Sequence, residues 1–303
     1  MNRIRRQDQL RALGRAVEEW GSGAGGSSRR PELPWRRTRD PWAVLVSEIM
    51  TQQTQVGRVV PIYSRFLERF PTPAACAASP LGDVLRAWRG LGYNRRARNL
   101  HLAAGAIVTA HGGCVPDELG ALEALPGIGA YTARAVLAFG FRRDVGVVEA
   151  NTGRVLARAV AGRPLRRTEA QELVDAMVPP GRGWHFGQAL LDLGATHCRS
   201  TAPECGSCPI RRRCRWSASG RSFPDPARRS AGVSRPQSRF EGSDRQGRGR
   251  LIDALRDRPL SEDDVAGLVG WSPRTGRPAR VVAGLLAEGL VVRDGGGLIR
   301  LPP

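Results

Sequence analysis

Apolar positions recur at helical spacing along most of this 303-residue chain. Ile4, Leu10, Leu13 and Val17 place residues 4–20 on an amphipathic helix. The run 41–110 carries further helical patterns. They are broken at Pro61, Pro71–Pro73, Ser79–Pro80 and Gly90–Gly92, where backbone punctuation ends a helix or turns the chain. Residues 118–141 read as helix, tight turn, helix, and 151–161, 168–177 and 184–197 as further helices. No strand pattern precedes residue 215 and no internal repeat is visible, so the body is predicted to be mainly α.

The pattern changes toward the C-terminus. Residues 217–246 read as a basic linker: nine arginines lie within 215–250 against Asp225, Glu241 and Asp244, with Pro, Ser and Gly between them. Such a stretch is expected to be loosely held and to serve either as a phosphate-neutralising arm or as a solubilising tether. The run GSGAGGSS at 21–28 is flexible by composition. Residues 247–303 show helical patterns at 247–257, 261–268 and 277–289. The stretch LVVRDGGGLIRL then reads as two short strands about a Gly-rich turn. Three helices and a hairpin predict a small winged-helix-like α+β domain.

Charge narrows the classes. The formal net charge is +19 and the pI about 11.4, which points to nucleic acid or an anionic membrane. No apolar run reaches the roughly 18 residues of a membrane span. The start lacks the apolar stretch of a signal peptide. Nucleic acid is therefore the expected partner, with no membrane. All 47 basic residues are arginine. GC-rich coding explains that bias, but the chemical consequence stands: no lysine side chain can form an imine or act as a base.

Four of the six cysteines, Cys198, Cys205, Cys208 and Cys214, lie within one 17-residue window. Crowding of this kind reads as metal ligation rather than a disulfide framework, and a reducing compartment follows. Only one close pair is present, whereas zinc sites usually present two. Four single thiolates suit a cubane [4Fe–4S] cluster; zinc and unligated thiols are the alternatives. Arg211, Arg212 and Arg213 in the same loop would then be a phosphate-contact patch or a solvated charge run.

Leu125-Pro126-Gly127-Ile128-Gly129 joins two helical patterns. Gly127 and Gly129 permit positive φ and close approach of a ligand to the backbone, and the next helix aims amides at an anion. Alone, a turn of this kind is a weak signal.

Taken with the segments LPWR (33–36), DPWAVLVSEIMTQQTQVGRV (40–59), GLGYNRRARNLH (90–101), LPGIGAYTARAVLAFGF (125–141) and EANTGRVLAR (149–158), the hairpin and cysteines resemble the helix-hairpin-helix DNA glycosylase superfamily. Within it the chain resembles the MutY-type adenine DNA glycosylases over about residues 30–216. The resemblance implies a two-lobed helical fold: a [4Fe–4S] lobe of residues 1–44 and 142–216, and a six-helix lobe of residues 45–141. It implies excision of adenine from A:8-oxoguanine or A:G mispairs in double-stranded DNA by a monomer, in a cytoplasmic, nucleoid-associated setting.

The same resemblance implies roles for single residues. Glu48 is the general acid that protonates the leaving adenine, which requires a carboxyl kept neutral. Tyr131 stands where strand-cleaving relatives carry a nucleophilic lysine. Glu149 stands in place of a catalytic aspartate, one methylene longer, and Asn151 lies near the sugar and is also a candidate N-cap. Gln53 and Tyr93 enter the base stack or touch the opposite base, and Arg36 lies near the adenine pocket. Glu32 and Thr51 depart from the family pattern, with Arg30 near the first. The usual C-terminal domain that reads 8-oxoguanine has no counterpart in the 89 residues after Cys214. The winged-helix-like domain or the linker is expected to contact the duplex nonspecifically. A mismatch thymine/uracil glycosylase and a non-catalytic iron–sulfur DNA-binding protein are the competing functions, the latter kept open by Glu149.

Overall fold

A computed structural model describes residues 3–23, 33–231, 239–271 and 275–303. Residues 24–28 of the Gly/Ser run, Arg30, Glu32 and part of the linker at 232–238 lie outside the described residues. The elements are α1 (Arg3–Ser22), α2 (Pro41–Thr51), α3 (Val56–Arg69), α4 (Pro73–Ala78), α5 (Leu81–Ala87), α6 (Arg95–His111), α7 (Leu119–Glu123) and α8 (Ala130–Ala135). They continue with α9 (Ala150–Val155), α10 (Arg167–Met177), α11 (Gly183–Thr196) and α12 (Arg215–Ala218). The C-terminal part holds α13 (Asp244–Leu255), α14 (Glu262–Val269), α15 (Arg277–Ala287), β1 (Val292–Arg293) and β2 (Ile299–Arg300). Among the described residues no helix is long and apolar enough to cross a membrane.

The chain forms two compact units. The first comprises residues 1–44, 117–119 and 129–236; the second comprises 45–116, 120–128 and 237–303. In the first, α1 packs on α10 and α11, and α11 on α9. Leu10, Leu13 and Val17 of α1 meet Leu156, Leu173, Phe186, Leu190 and Leu193 in one core. Gly14 makes this approach possible, since a Cβ there would lie 1.8 Å from the Met177 carbonyl oxygen. α8 and α9 each continue into a wider π-helical turn, Val136–Gly140 and Leu156–Ala161.

Several features differ from the sequence expectation. The helix after the hairpin (from residue 129) groups with the first unit rather than with 45–128. Residues 217–231, expected to hang loose, pack on the first unit. There the Ser230 hydroxyl accepts from the Leu165 amide at 2.8 Å and Asp225 pairs with buried Arg158. A carboxylate inside a basic run thus anchors it by neutralising an interior charge. α13 begins at Asp244, not 247, because Ser243 accepts from the Gln246 amide and Gln246 reaches back to the Gly242 amide. That is a Ser-x-x-Gln start signal hidden in the arginine-rich run.

In the second unit α3 buries Val59, Ile62, Tyr63 and Phe66, and Phe66 meets Trp88 edge-on at 5.8 Å. α3 runs through Pro61, where a break was expected. The proline removes one backbone donor, and the buried face carries the helix past it. At the C-terminus α13, α14 and α15 pack on one another. β1 and β2 pair antiparallel with Val292 opposite Arg300, and Leu260 bridges Ile299.

Candidate active site

α2 is fixed at its start by Asp40, whose Oδ1 accepts from the Trp42 amide at 3.0 Å, and by Pro41 at the first helical position. Its residues Leu45, Val46, Ile49 and Met50 are at most 2% exposed. A helix this rich in apolar residues belongs in an interior. Glu48 lies in its last turn, buried among these side chains at 8% exposure, with Oε2 shut off from solvent. Thr51, one of the departures from the family pattern, sends its hydroxyl to the Ser47 carbonyl at 2.8 Å, so its polarity is absorbed by the helix itself.

The end of α2 is closed by Arg96 of α6. Its Nη1 donates to the carbonyls of Ile49, Met50 and Gln52 at 2.8, 2.8 and 2.6 Å. Its Nη2 donates to Thr54 Oγ1 at 2.9 Å and to the Leu91 and Gly92 carbonyls at 3.2 and 3.3 Å. One guanidinium therefore satisfies the orphan carbonyls of a helix C-terminus and ties loop 52–54 to loop 90–93. Burial lowers its pKa to about 10. Arg96 thus faces inward, while its neighbour Arg95 is exposed. The two loops hold Gln53 (φ 55°) and Tyr93 (φ 46°), both exposed and both left-handed. Non-glycine residues in that region cost about 1–2 kcal/mol each, so the clamp holds two strained loop tips in place.

In the hairpin, Gly127 has φ 76° and a Cβ there would fall 2.6 Å from the Asn99 amide nitrogen. Glycine is obligatory on both counts. Gly129 differs from expectation: its φ is −101°, it is the N-cap of α8, and nothing lies within 4 Å of a Cβ placed there. Its value is open space at a helix start rather than positive φ. Tyr131 follows in the first turn of α8, half-buried.

In the first unit Glu149, not Asn151, is the N-cap of α9. Its Oε1 accepts from the Asn151 and Thr152 amides at 2.6 and 2.9 Å, and the Thr152 hydroxyl accepts from the Glu149 amide at 2.8 Å. The carboxylate thus folds back onto its own helix start. Burial pushes its pKa up, opposed by the amide bonds and the charge of Arg154.

Asn151 uses its Oδ1 to accept from Arg154 at 2.6 Å. The same guanidinium donates to the Gly194 carbonyl at 2.7 Å and to the Cys198 carbonyl. One turn on, Arg158 bonds Asp225, the Arg199 carbonyl at 2.7 Å and Cys198 Sγ at 3.5 Å. A continuous polar path thus runs from Glu149 to the cysteine loop.

The four cysteines are free thiols, and the charges of Cys198, Cys205 and Cys214 bear on Cys208. Arg154 and Arg158 beside Cys198 supply positive charge suited to a set of thiolates. Among the described residues no three His, Cys, Asp or Glu side chains close on a single ion. Arg211–Arg213 form an exposed 3₁₀ turn before Cys214.

Arg36 is not at the surface. It forms a two-pronged pair with Asp192, Nη1 to Oδ2 at 2.8 Å and Nη2 to Oδ1 at 2.7 Å, both side chains nearly inaccessible. It pins the 33–37 turn to α11 instead of presenting a free guanidinium. Sequence reading missed the buried roles of Asp192, Asp225, Arg96, Arg154 and Arg158. Two of these carried a signal: Asp192 as a lone carboxylate inside the apolar stretch ALLDLGAT, and Asp225 as a carboxylate inside a basic run.

Residues 46–180 match the model of the HhH-GPD superfamily base excision DNA repair protein. The chain is 42% identical over 276 residues to an adenine DNA glycosylase of Mycolicibacterium smegmatis, covering 90% of this chain and 92% of that one. It is 38% identical over 198 residues to the adenine DNA glycosylase of Homo sapiens, covering 61% of this chain and 36% of that one. Among solved structures, a thermostable thymine-DNA glycosylase superposes with a TM-score of 0.65 at 27% identity, over 70% of this chain and 98% of that one. An endonuclease III–DNA covalent intermediate superposes with a TM-score of 0.60 at 23% identity, over 71% and 99%.

Proposed function

Because the chain belongs to the HhH-GPD superfamily of base excision DNA repair proteins, as one of its adenine DNA glycosylases, we propose that it hydrolyses adenine from A:8-oxoguanine and A:G mispairs without cutting the strand. The observation that carries this reading is Glu48: a carboxyl buried in an apolar helix, within a family whose relatives are named for adenine excision. General-acid catalysis needs a carboxyl shielded from bulk water and placed to donate a proton. Glu48 donates its proton to a ring nitrogen of the flipped adenine as the C1′–N9 bond breaks. Adenine then leaves neutral, and positive charge develops on the sugar.

Glu149 supplies the compensating charge. Two amides at the start of α9 hold its Oε1, and the carboxylate takes the proton of the attacking water. The N-terminal end of a helix favours the anion. Asn151, held by Arg154, orients the sugar side. Tyr131 stabilises the reacting centre by a hydrogen bond and cannot form an imine, and the chain has no lysine to do so. Gln53 and Tyr93, on left-handed loop tips, fill the gap left by base flipping, whose unstacking costs a few kcal/mol. Gly127 and Gly129 bring hairpin amides to a phosphate.

Cys198, Cys205, Cys208 and Cys214 would hold a [4Fe–4S] cluster. A four-thiol donor set beside two arginines fits that group. When bound it cross-links the 198–214 loop. The protein's own contribution there is the Arg154–Arg158 path that joins this loop to Asn151.

A second reading, excision of mismatched thymine, has the superposition on a thymine-DNA glycosylase in its favour. One experiment separates the two: incubate the protein with duplexes bearing A:8-oxoguanine, A:G, T:G or U:G, then cleave abasic sites with alkali. Adenine release is expected, and release from T:G alone overturns the proposal.

A further inference from the structure

The C-terminal module, residues 239–303, carries 11 arginines against 9 carboxylates, so it holds only +2 of the chain's +19. Its α14 opens with Glu262, Asp263 and Asp264. A nonspecific phosphate-binding arm draws on a large excess of positive charge, and this module holds little of the chain's. Several of its polar contacts reach residues 82–94 of the same unit.

Arg256, at the end of α13, is buried, with its side chain 1% exposed. Its Nε donates to the Leu85 carbonyl at 2.9 Å and its Nη2 to Asn94 Oδ1 at 3.0 Å. Asp253 balances its charge. Around it the docking is close. The Gly82 amide donates to the Pro302 carbonyl at 3.0 Å, and a Cβ on Gly82 would lie 2.4 Å from that oxygen. Arg86 Nε donates to the Arg256 carbonyl at 3.4 Å, and Arg89 pairs with Asp257 at the exposed rim. Asn94 directly follows Tyr93, whose left-handed backbone needs support from both sides. Arg96 and the Trp88 indole, which donates to the Gly92 carbonyl at 3.1 Å, hold the side toward residue 90. Arg256 holds the other.

We propose that the C-terminal module is a positioning element for DNA interrogation: Arg256, acting through Asn94, sets the loop that presents Tyr93 to the duplex. This rests on the reading of Tyr93 as a residue that enters the base stack. The module then tunes the search for a mispair without touching DNA itself.

The test uses the full chain with Asn94→Ala, Arg256→Gln, the double variant, Asn94→Asp and Arg89→Gln. It measures single-turnover adenine release, duplex affinity, and 2-aminopurine fluorescence from a base beside the mispair. Asn94→Ala and Arg256→Gln should each slow release about tenfold, the worth of one charge-assisted hydrogen bond, and weaken the fluorescence change, with duplex affinity unchanged. The double variant should lose no more than either single one, because both break one link. Asn94→Asp keeps an acceptor and should restore the rate, and Arg89→Gln should leave it unchanged.

Full rate in Asn94→Ala, multiplying losses in the double variant, or a lowered melting temperature with unaltered rate and fluorescence overturns the proposal. If the unaltered protein releases no adenine at all, the functional reading fails instead. The fluorescence series then decides the Arg256–Asn94 link by itself.

Discussion

Glu149 and Glu48 are the same side chain at opposite ends of their helices. Glu149 caps the start of α9, where two amides meet its Oε1 and Arg154 lies near. Glu48 stands in the last turn of α2 among Leu45, Val46, Ile49 and Met50, where the helix end carries partial negative charge. One carboxyl is held by backbone amides, and the other is buried in a largely apolar helix. The proposed acid-assisted departure of a base asks one of them to donate a proton and the other to carry charge. The helix ends also differ in how they are closed. α9 is closed by its own N-cap, and α2 by a guanidinium from α6.

The sharpest way to break this contrast is Glu48→Gln, which removes the proton donor and keeps the shape. Single-turnover adenine release should fall by about 10³-fold or more, with duplex binding retained; a loss within tenfold would leave the two glutamates without distinct roles. Glu149→Gln comes next. The amide side chain can still accept from Asn151 and Thr152, so the cap survives while the charge goes, and the rate should drop on the order of 100-fold. Glu149→Asp keeps both charge and cap and should lose less than Glu149→Gln. Equal losses in the two would show that the charge is not used.

The pH profile gives the sign. Burial raises the Glu149 pKa above the ordinary carboxylate range, and the working form is the anion. Activity is therefore gained as pH rises through that pKa and lost on its acid side. Glu149→Gln should flatten this acid limb in a pH–rate measurement. Arg96→Met tests how α2 is closed. It strips the carbonyls of Ile49, Met50 and Gln52 of their donor and should cost about 2–3 kcal/mol in urea unfolding. The smallest effect concerns strand cleavage. Borohydride should trap no more than the slow adduct an N-terminal amine can give, and rapid trapping would contradict an imine-free mechanism.

Much of this was legible from residue order. Helical spacing gave the body, and Ser-x-x-Gln could have given the start of α13. Pro61 misled because a proline inside a pattern reads as a stop, while the buried face of α3 outweighs the one lost donor. Asn151 was read as a cap since Asn favours that position, but the helix starts two residues earlier, with Glu149 accepting from the Asn151 and Thr152 amides.

The arginines mark the boundary. Sequence by itself determined that every cation is a guanidinium, that no imine chemistry is open to a side chain, and which motifs carry the candidate acid, carboxylate and thiols. Among 47 arginines, nothing in composition distinguishes those that face water from Arg36, Arg96, Arg154, Arg158 and Arg256, which are fastened inside. Most of their partners are backbone carbonyls, and every residue has one, so the pairing leaves no trace in residue identity. Only the folded backbone, by turning the carbonyls of a helix end or a loop toward one point, decided which arginines became structural.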